Sequence, residues 1–570
     1  PAPAPDTYAV HDRPAVTAFH GAGDEPLMPG SNNWAVGGAL TEDGRAMVAN
    51  DMHLGHSVPN IYYRARLVQT GAPVRDVTGV TLPGTPFVVA GSNGRVAWGY
   101  TNSNGDWSDA VVVVPGAEPG TYRTADGDRP FTEYRERIEV EGGEPVEFVV
   151  RETEWGPVDE SAGYPDGEIA VSWIAHHARG VNLRILDLET VTTADEALDV
   201  ANTLGMPPQN FVTGDDAGNI GWTIAGQIPV RGDYDATVPS DWSEGAGWSG
   251  WRRPDEVPRV YNPPHGRIWT ANARVADGDA LAVLGDGGYD LAARAKQIRD
   301  GLFALDRFTP GDMLALQNDD RALFLAPWRD LLLSVLDDDA VAGDALLAEY
   351  RQLVTDWTPR ADRGSAGYRF VRGFRQEVRR RVFDGLMAPV HAAYETPVDL
   401  LVSNQFEGPL WQLVTTRPTH LLPAGADSWE SLLVDAARTN ANWFATNFDT
   451  PLADRTWGER NTASIRHPLS RAVPALSGLL DMPREPLAGD SHMPRAQGPD
   501  FGASERFSVS PGDEASALMQ MPTGQSGHPL SRFYRAGHEN WVHGRPQPFL
   551  PGTAAYTLKL APSGGTLHGS

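Results

Sequence analysis

Along residues 31–264 apolar and polar side chains alternate in short runs broken by glycine, asparagine and aspartate, the two-residue period of half-buried strands. Arg137-Ile138-Glu139-Val140-Glu141, the turn Gly142-Gly143 and the return Val146-Glu147-Phe148-Val149 predict a hairpin. A second is predicted where Trp34, Ala35, Val36, Ala39 and Leu40 run into Thr41-Glu42-Asp43-Gly44, the strand starting at Ser31 behind the Pro29-Gly30 break. One helix interrupts: Thr193 with Glu196 three residues on is a capping box before Ala197-Leu198. From about 290 to 440 the apolar spacing becomes helical, with a start signal at Thr309-Pro310-Gly311-Asp312 and further helices over 344–357 and 368–383. After about 500 strands return, 505–509 and 517–521 on either side of the turn Pro511-Gly512-Asp513.

Strands at both ends of a helical block predict a sheet-rich α+β core that carries an insertion. The expected divisions are a linker over 1–30, a core over 31–300, a mainly helical insertion over 301–490, and C-terminal strands over 491–570 that complete the core. No repeat of fixed period is present.

Composition narrows the chemistry. The 570 residues are 41% hydrophobic, and no stretch approaches the roughly 18 consecutive apolar residues a membrane span needs. A net charge of −27 argues against nucleic acid or an anionic membrane as partner, since both need a basic surface. Cysteine is absent, which excludes disulfides, thiolate metal sites and cysteine nucleophiles. Lys296 and Lys559 are the only lysines, so nearly all positive charge is arginine. Residues 1–30 are rich in proline, alanine and glycine, hold no apolar run of signal-peptide type, and read as a linker.

There is no G-x-S-x-G elbow and no obvious Ser/His/Asp set in a known order. Ser31 allows another design. If the Gly30-Ser31 bond is cut, one residue carries a hydroxyl nucleophile and a free α-amine whose reference pKa is about 7.7 to 8.0. Enough of that amine is unprotonated near neutral pH to act as general base.

Ser31-Asn32-Asn33-Trp34 followed by Val48-Ala49-Asn50-Asp51-Met52-His53-Leu54 resembles the start of the catalytic β subunit in the penicillin acylase family of N-terminal nucleophile hydrolases. That family includes penicillin, cephalosporin and acyl-homoserine-lactone acylases. The resemblance continues through Gly94-Arg95-Val96-Ala97-Trp98-Gly99, Gly218-Asn219-Ile220-Gly221-Trp222, Tyr261-Asn262-Pro263-Pro264 and Gly524-Gln525-Ser526-Gly527-His528-Pro529-Leu530-Ser531. It implies a four-layer αββα fold and an amidohydrolase that cleaves an apolar acyl group from an amine through a serine acyl-enzyme. It also implies self-cleavage at Gly30-Ser31, an α subunit from the same precursor as heterodimer partner, and a periplasmic or secreted location. Residues 1–30 then resemble the tail of a spacer.

The same resemblance assigns roles. Ser31 is nucleophile and base, the backbone N–H of Asn102 and the side chain of Asn272 are the oxyanion donors, and Arg294 supports Asn272 while its charge keeps the amine's pKa low. Where many members read Asn-Ser-Asn, this chain has Thr270-Ala271-Asn272 and keeps the last asparagine. His53 matches the histidine of homoserine-lactone and cephalosporin acylases and is expected to position the amine and a bridging water. Together with His56 it lacks a carboxylate partner for a metal site.

Asp106 and Asp109 match two aspartates that hold a structural calcium in the family; the third falls on Val283, with Asp279 or Asp286 as substitutes. The acyl pocket is expected around Leu54, Val89 and Ala90. Penicillin G acylases carry phenylalanines at the places of Leu54 and Ala90, so an aliphatic acyl chain is favoured here. Trp155-Gly156-Pro157 stands where many members have His-Gly-Pro. Two other readings are a calcium-stabilised secreted binding protein on the same scaffold, and an ordinary serine hydrolase using another serine such as Ser526 near His528.

Overall fold

Two stacked antiparallel sheets organise the residues that the computed structural model describes, 3–11, 30–160, 164, 167–393 and 404–559. The first sheet is built on β1 (Gly30–Val36) and β2 (Met47–Gly55), a hairpin in which Ser31 faces Met52 and Gly30 faces His53. Arg267–Thr270 flanks β1 on one side, and Arg506–Val509 and then Leu518–Gln520 extend the sheet beyond β2. The C-terminal strands therefore complete the N-terminal sheet, as the sequence predicts.

The second sheet holds β3 (Tyr63–Gln69), β4 (Arg75–Thr81), β5 (Ala90–Ser92) and β6 (Val96–Asn102), then Gln209–Asp215, Ile220–Ala225 and Arg259–Tyr261. Helix α1 (Ala194–Ala201) covers its outer face through Ala197, Leu198 and Ala201. After α2 (Gly278–Leu284) come α3 (Ala293–Phe303) and α4 (Pro310–Gln317), which cover the outer face of the first sheet. The layers run helix, sheet, sheet, helix. A further six-stranded sheet includes the predicted hairpin, as Thr132–Ile138 and Val146–Thr153.

Every residue of β1 is buried, because both faces of its sheet are covered. Side chains alternate between the faces of a strand. Trp34, Val36, Met47 and Ala49 pack outward on Ile298, Leu302 and Met313, whereas Ala35 and Val48 pack inward against the second sheet. By the same parity Ser31, Asn33, Asn50 and Met52 point between the sheets, and Asn32, Asp51 and His53 point toward the outer helices.

Several expectations change in detail. The strand ends at Val36, and Gly38–Leu40 forms a 3₁₀ turn. A Cβ on Gly38 would lie 1.9 Å from the Gly44 carbonyl oxygen, so the chain crosses itself there and cannot remain extended. Thr193 accepts from the Glu196 N–H, but the Glu196 carboxylate reaches the Thr192 N–H, leaving the box half made. The Thr309 box is complete, with Asp312 reciprocating. Helices α3 and α4 belong to the core, and the separate helical cluster starts near Ala322. Trp155 packs edge-on against Tyr122 at 5.4 Å and Trp242 at 6.3 Å, so the residue that departs from the His-Gly-Pro pattern serves an aromatic cluster.

Candidate active site

Ser31 is the second residue of β1, and only 3% of its surface is exposed. Its Oγ accepts from the Asn102 backbone N–H at 3.1 Å and from Asn272 Nδ2 at 3.2 Å. Both donors are positioned by local structure. Asn102 ends β6, in the sheet facing Ser31, where the ladder pairs it with Gln209. Asn272 follows the flanking strand Arg267–Thr270 and adopts φ of 67°, a left-handed backbone that asparagine tolerates better than most residues.

The other end of the Asn272 amide is fixed as firmly. Oδ1 accepts from the Ser31 N–H at 2.7 Å and from Arg294 Nη2 at 2.8 Å, which leaves Nδ2 to face the serine hydroxyl and the Asn102 carbonyl. Arg294, near the start of α3, also donates through Nη1 to the Ser31 carbonyl and to Asn32 Oδ1. Its buried guanidinium is paired with Asp290 at 2.8 Å. Burial pushes the Asp290 carboxyl up, but the charge and hydrogen bond of Arg294 outweigh it and hold Asp290 below its ordinary range.

Asn50 ties the two sheets together at this level. Its amide donates to the Asn32 carbonyl at 2.8 Å and to the Tyr100 carbonyl at 2.9 Å. It therefore fixes the gap across which Asn102 reaches Ser31.

The structure brings Ser31, Asn102, Asn272 and Arg294 together, with His53 opposite Gly30 in the hairpin. His53 lies on the outer face, its Nε2 2.6 Å from Asp51 Oδ2 and 3.3 Å from Asn32 Nδ2. It makes no hydrogen bond to Ser31, and a Cβ on Gly30 would lie 3.5 Å from its Nδ1. Burial, with the Arg294 and Arg506 charges, holds its pKa below the ordinary imidazole value against the opposing pull of Asp51. His56 is bound by its own ring nitrogen to the Gly502 carbonyl and stacks edge-on against Trp541.

Glu505, which matched no assigned carboxylate, accepts from the Met52 N–H, and burial together with the Asp51 charge drives it well above the usual carboxylate range. Asn32, Asn50 and Asp51 lie within the quoted motifs without an assigned role, and Asp290 carried no sequence signal. Asp290 stands four residues before Arg294, a spacing that suits an ion pair at a helix start.

Leu54 and Val89 are partly buried and Ala90 is fully buried, all in the core between the sheets, and Met52 shares the Ser31 face. The lining contributed by these positions is aliphatic. Ser526 Oγ accepts from the His528 backbone N–H, and His528 Nδ1 accepts from the Leu530 N–H, so these two form an exposed turn with no nucleophile–base bond.

Asp106 and Asp109 do come together, but around an arginine. Arg231 Nη2 lies 3.2 Å from Asp106 Oδ1, and Arg231 Nε lies 3.0 Å from Asp109 Oδ2. Calcium takes six to eight oxygen ligands. Among the described residues no group of three or more aspartates, glutamates or histidines is arranged to hold a metal ion. The residues present do not fit the expected calcium shell.

A serine at the head of an inner strand, with a backbone N–H and an asparagine amide trained on its hydroxyl, stands here on the four-layer architecture of an N-terminal nucleophile hydrolase. The penicillin amidase family model matches residues 5–556, and the chain belongs to that family. It is a hydrolase of the amide-cleaving acylase class. It is 31% identical over 554 residues to penicillin acylase 2 proenzyme of a Pseudomonas species, covering 93% of this chain and 68% of that one. It is 26% identical over 591 residues to acyl-homoserine lactone acylase QuiP of Pseudomonas aeruginosa, covering 91% of this chain and 67% of that one. A thermostable penicillin G acylase structure from Alcaligenes faecalis aligns over 93% of this chain and 100% of its own, with a TM-score of 0.67 at 18% identity. That likeness speaks for the fold.

Proposed function

We propose that this chain is a self-processing acylase whose nucleophile, Ser31, gains its general base by cleavage of the Gly30-Ser31 bond. The convergence of the Asn102 N–H and Asn272 Nδ2 on Ser31 Oγ carries the reading. In processing, Oγ attacks the Gly30 carbonyl carbon, the peptide C–N bond breaks as the nitrogen takes a proton, and water hydrolyses the resulting ester. The product is an α-amine beside the hydroxyl.

In turnover that amine accepts the Oγ proton as Oγ bonds to the substrate carbonyl carbon. The oxygen of the tetrahedral intermediate is stabilised by the same two donors, neither of which brings a full charge that would also hold the neutral ground state. Collapse breaks the C–N bond, the leaving nitrogen takes the proton, and an acyl ester remains on Ser31. Water, deprotonated by the amine, then releases the acid.

The substrate is a linear amide between an apolar acyl group and an amine, of the penicillin or N-acyl-homoserine-lactone kind that the relatives' names indicate. The aliphatic contributions of Leu54, Val89 and Ala90 favour a flexible acyl chain over an aromatic one. The mature form pairs this chain with an α segment of the same precursor in a periplasmic or secreted setting.

Ser31→Ala tests the reading. The precursor should stay uncut by mass spectrometry, and acylase activity should fall to background on both aliphatic and phenylacetyl amides. An uncut chain that turns over amide at the wild-type rate would overturn it.

A further inference from the structure

We propose that Arg231 is a resident cation that occupies the place of the family's calcium and pins the segment after β6 without metal. The segment Asn102 to Asp109 leaves the sheet directly after the N–H that faces Ser31. Its two carboxylates face the one guanidinium.

Arg231 Nε donates to Asp109 Oδ2 at 3.0 Å, and its Nη2 donates to the Asp106 backbone carbonyl at 3.0 Å while lying 3.2 Å from Asp106 Oδ1. The Trp248 indole N–H donates to the same Asp109 oxygen at 2.6 Å. Asp109 is 1% exposed at its side chain, and Arg231 and Asp106 are 18% and 19% exposed.

A calcium ion would need these oxygens as ligands at about 2.3 to 2.6 Å. Here Asp109 Oδ2 and the Asp106 carbonyl already accept from fixed N–H groups, Asp106 Oδ1 lies against the guanidinium that stands between the two aspartates, and the buried Asp109 Oδ1 has no hydrogen-bond partner among the described residues. The planar fork of arginine suits this task because it meets two acceptors at once and does not deprotonate. Position 283, where the third family aspartate falls, is valine. Asp286 stands near enough to Asp106 for its charge to raise the Asp106 carboxyl, and the arginine supplies the positive charge set against these acids.

The test is made on the purified protein, first stripped with EDTA and desalted, then split into EDTA and calcium chloride samples. The two melting curves should coincide, and elemental analysis before stripping should find far less than one calcium per chain. Arg231→Gln should lower the melting temperature by several degrees in EDTA. Should that variant fail to fold, the charge-balanced R231Q/D106N/D109N should regain folded protein in EDTA.

One calcium per chain that survives desalting, a chelator-dependent fall in wild-type melting, or an Arg231→Gln protein as stable as wild type would each overturn the proposal. None of these readouts uses catalysis, so they are independent of the role given to Ser31.

Discussion

Asn272 holds a left-handed backbone, with φ of 67°, at the centre of the site. Such a conformation costs on the order of 1 to 3 kcal/mol and persists only where the surroundings over-determine it. Here they do: the Ser31 N–H and Arg294 hold Oδ1, and the Ser31 hydroxyl and Asn102 carbonyl hold Nδ2. The same crowding limits the residue before Ser31. A Cβ on Gly30 would approach Asn272 Oδ1 to 3.0 Å and Arg294 Nη2 to 3.1 Å. Gly30→Ala should therefore slow self-cleavage about tenfold, roughly 1.4 kcal/mol of barrier, on a gel time course. Once cut, the enzyme should show wild-type kcat/KM per titrated site, because residue 30 is no longer joined to Ser31. Processing at the wild-type rate would contradict the crowding argument. At this scale Ser31, Asn102, Asn272 and Arg294 were legible through their motifs. The facing of His53 was not, since it depends on a hairpin register set by the 3₁₀ turn at Gly38–Leu40.

Among the elements, α3 carries the electrostatics of the site. Arg294 in its first turn is anchored to Asp290 just upstream, and the Leu291 N–H and Asn404 donate to the other Asp290 oxygen. Removing one member of a buried pair strands the other, so Asp290→Ala should destabilise the fold by about 3 kcal/mol near neutral pH. The sign with pH follows from the lowered carboxyl. Its stabilisation is fully present above the ordinary value of 3.8 and is lost as pH falls through the still lower folded value. The gap between wild-type and Asp290→Ala melting should stay constant above about pH 5 and close in stronger acid. A gap independent of pH would remove the pair as its cause. Strong local signals made some elements readable: the Thr309 box, the alternation through Ile138, and the strands around 505–521. Ownership was harder. Helices α3 and α4 share the helical period of the insertion, yet their apolar faces close over Trp34 and Met47, a fact of long-range packing that no local window contains.

The whole molecule is closed by its far end. Arg506–Val509 pairs with β2 through Asn50↔Phe507, and Phe501–Ala503 pairs with the same strand through His53↔Ala503. A chain stopped at residue 499 would leave β2 with an open edge, the kind that recruits other strands. It should collect in the insoluble fraction, and a soluble monomer with wild-type melting would refute this. The order of strands, helices and strands showed that one core is split in sequence. The pairing of Arg231 with Asp109 was hidden, because 122 residues separate the two and an isolated arginine has no motif.

One property of β1 reaches furthest. Because neighbouring residues look to opposite faces, the reactive oxygen and the cationic scaffold behind it occupy different compartments of the molecule, joined by a single strand's thickness. Substitutions at Met52, Leu54 or Val89 should therefore alter the interior face while the charge apparatus is left alone. Inserting or deleting one residue between Gly30 and Trp34 would exchange the compartments and forfeit both.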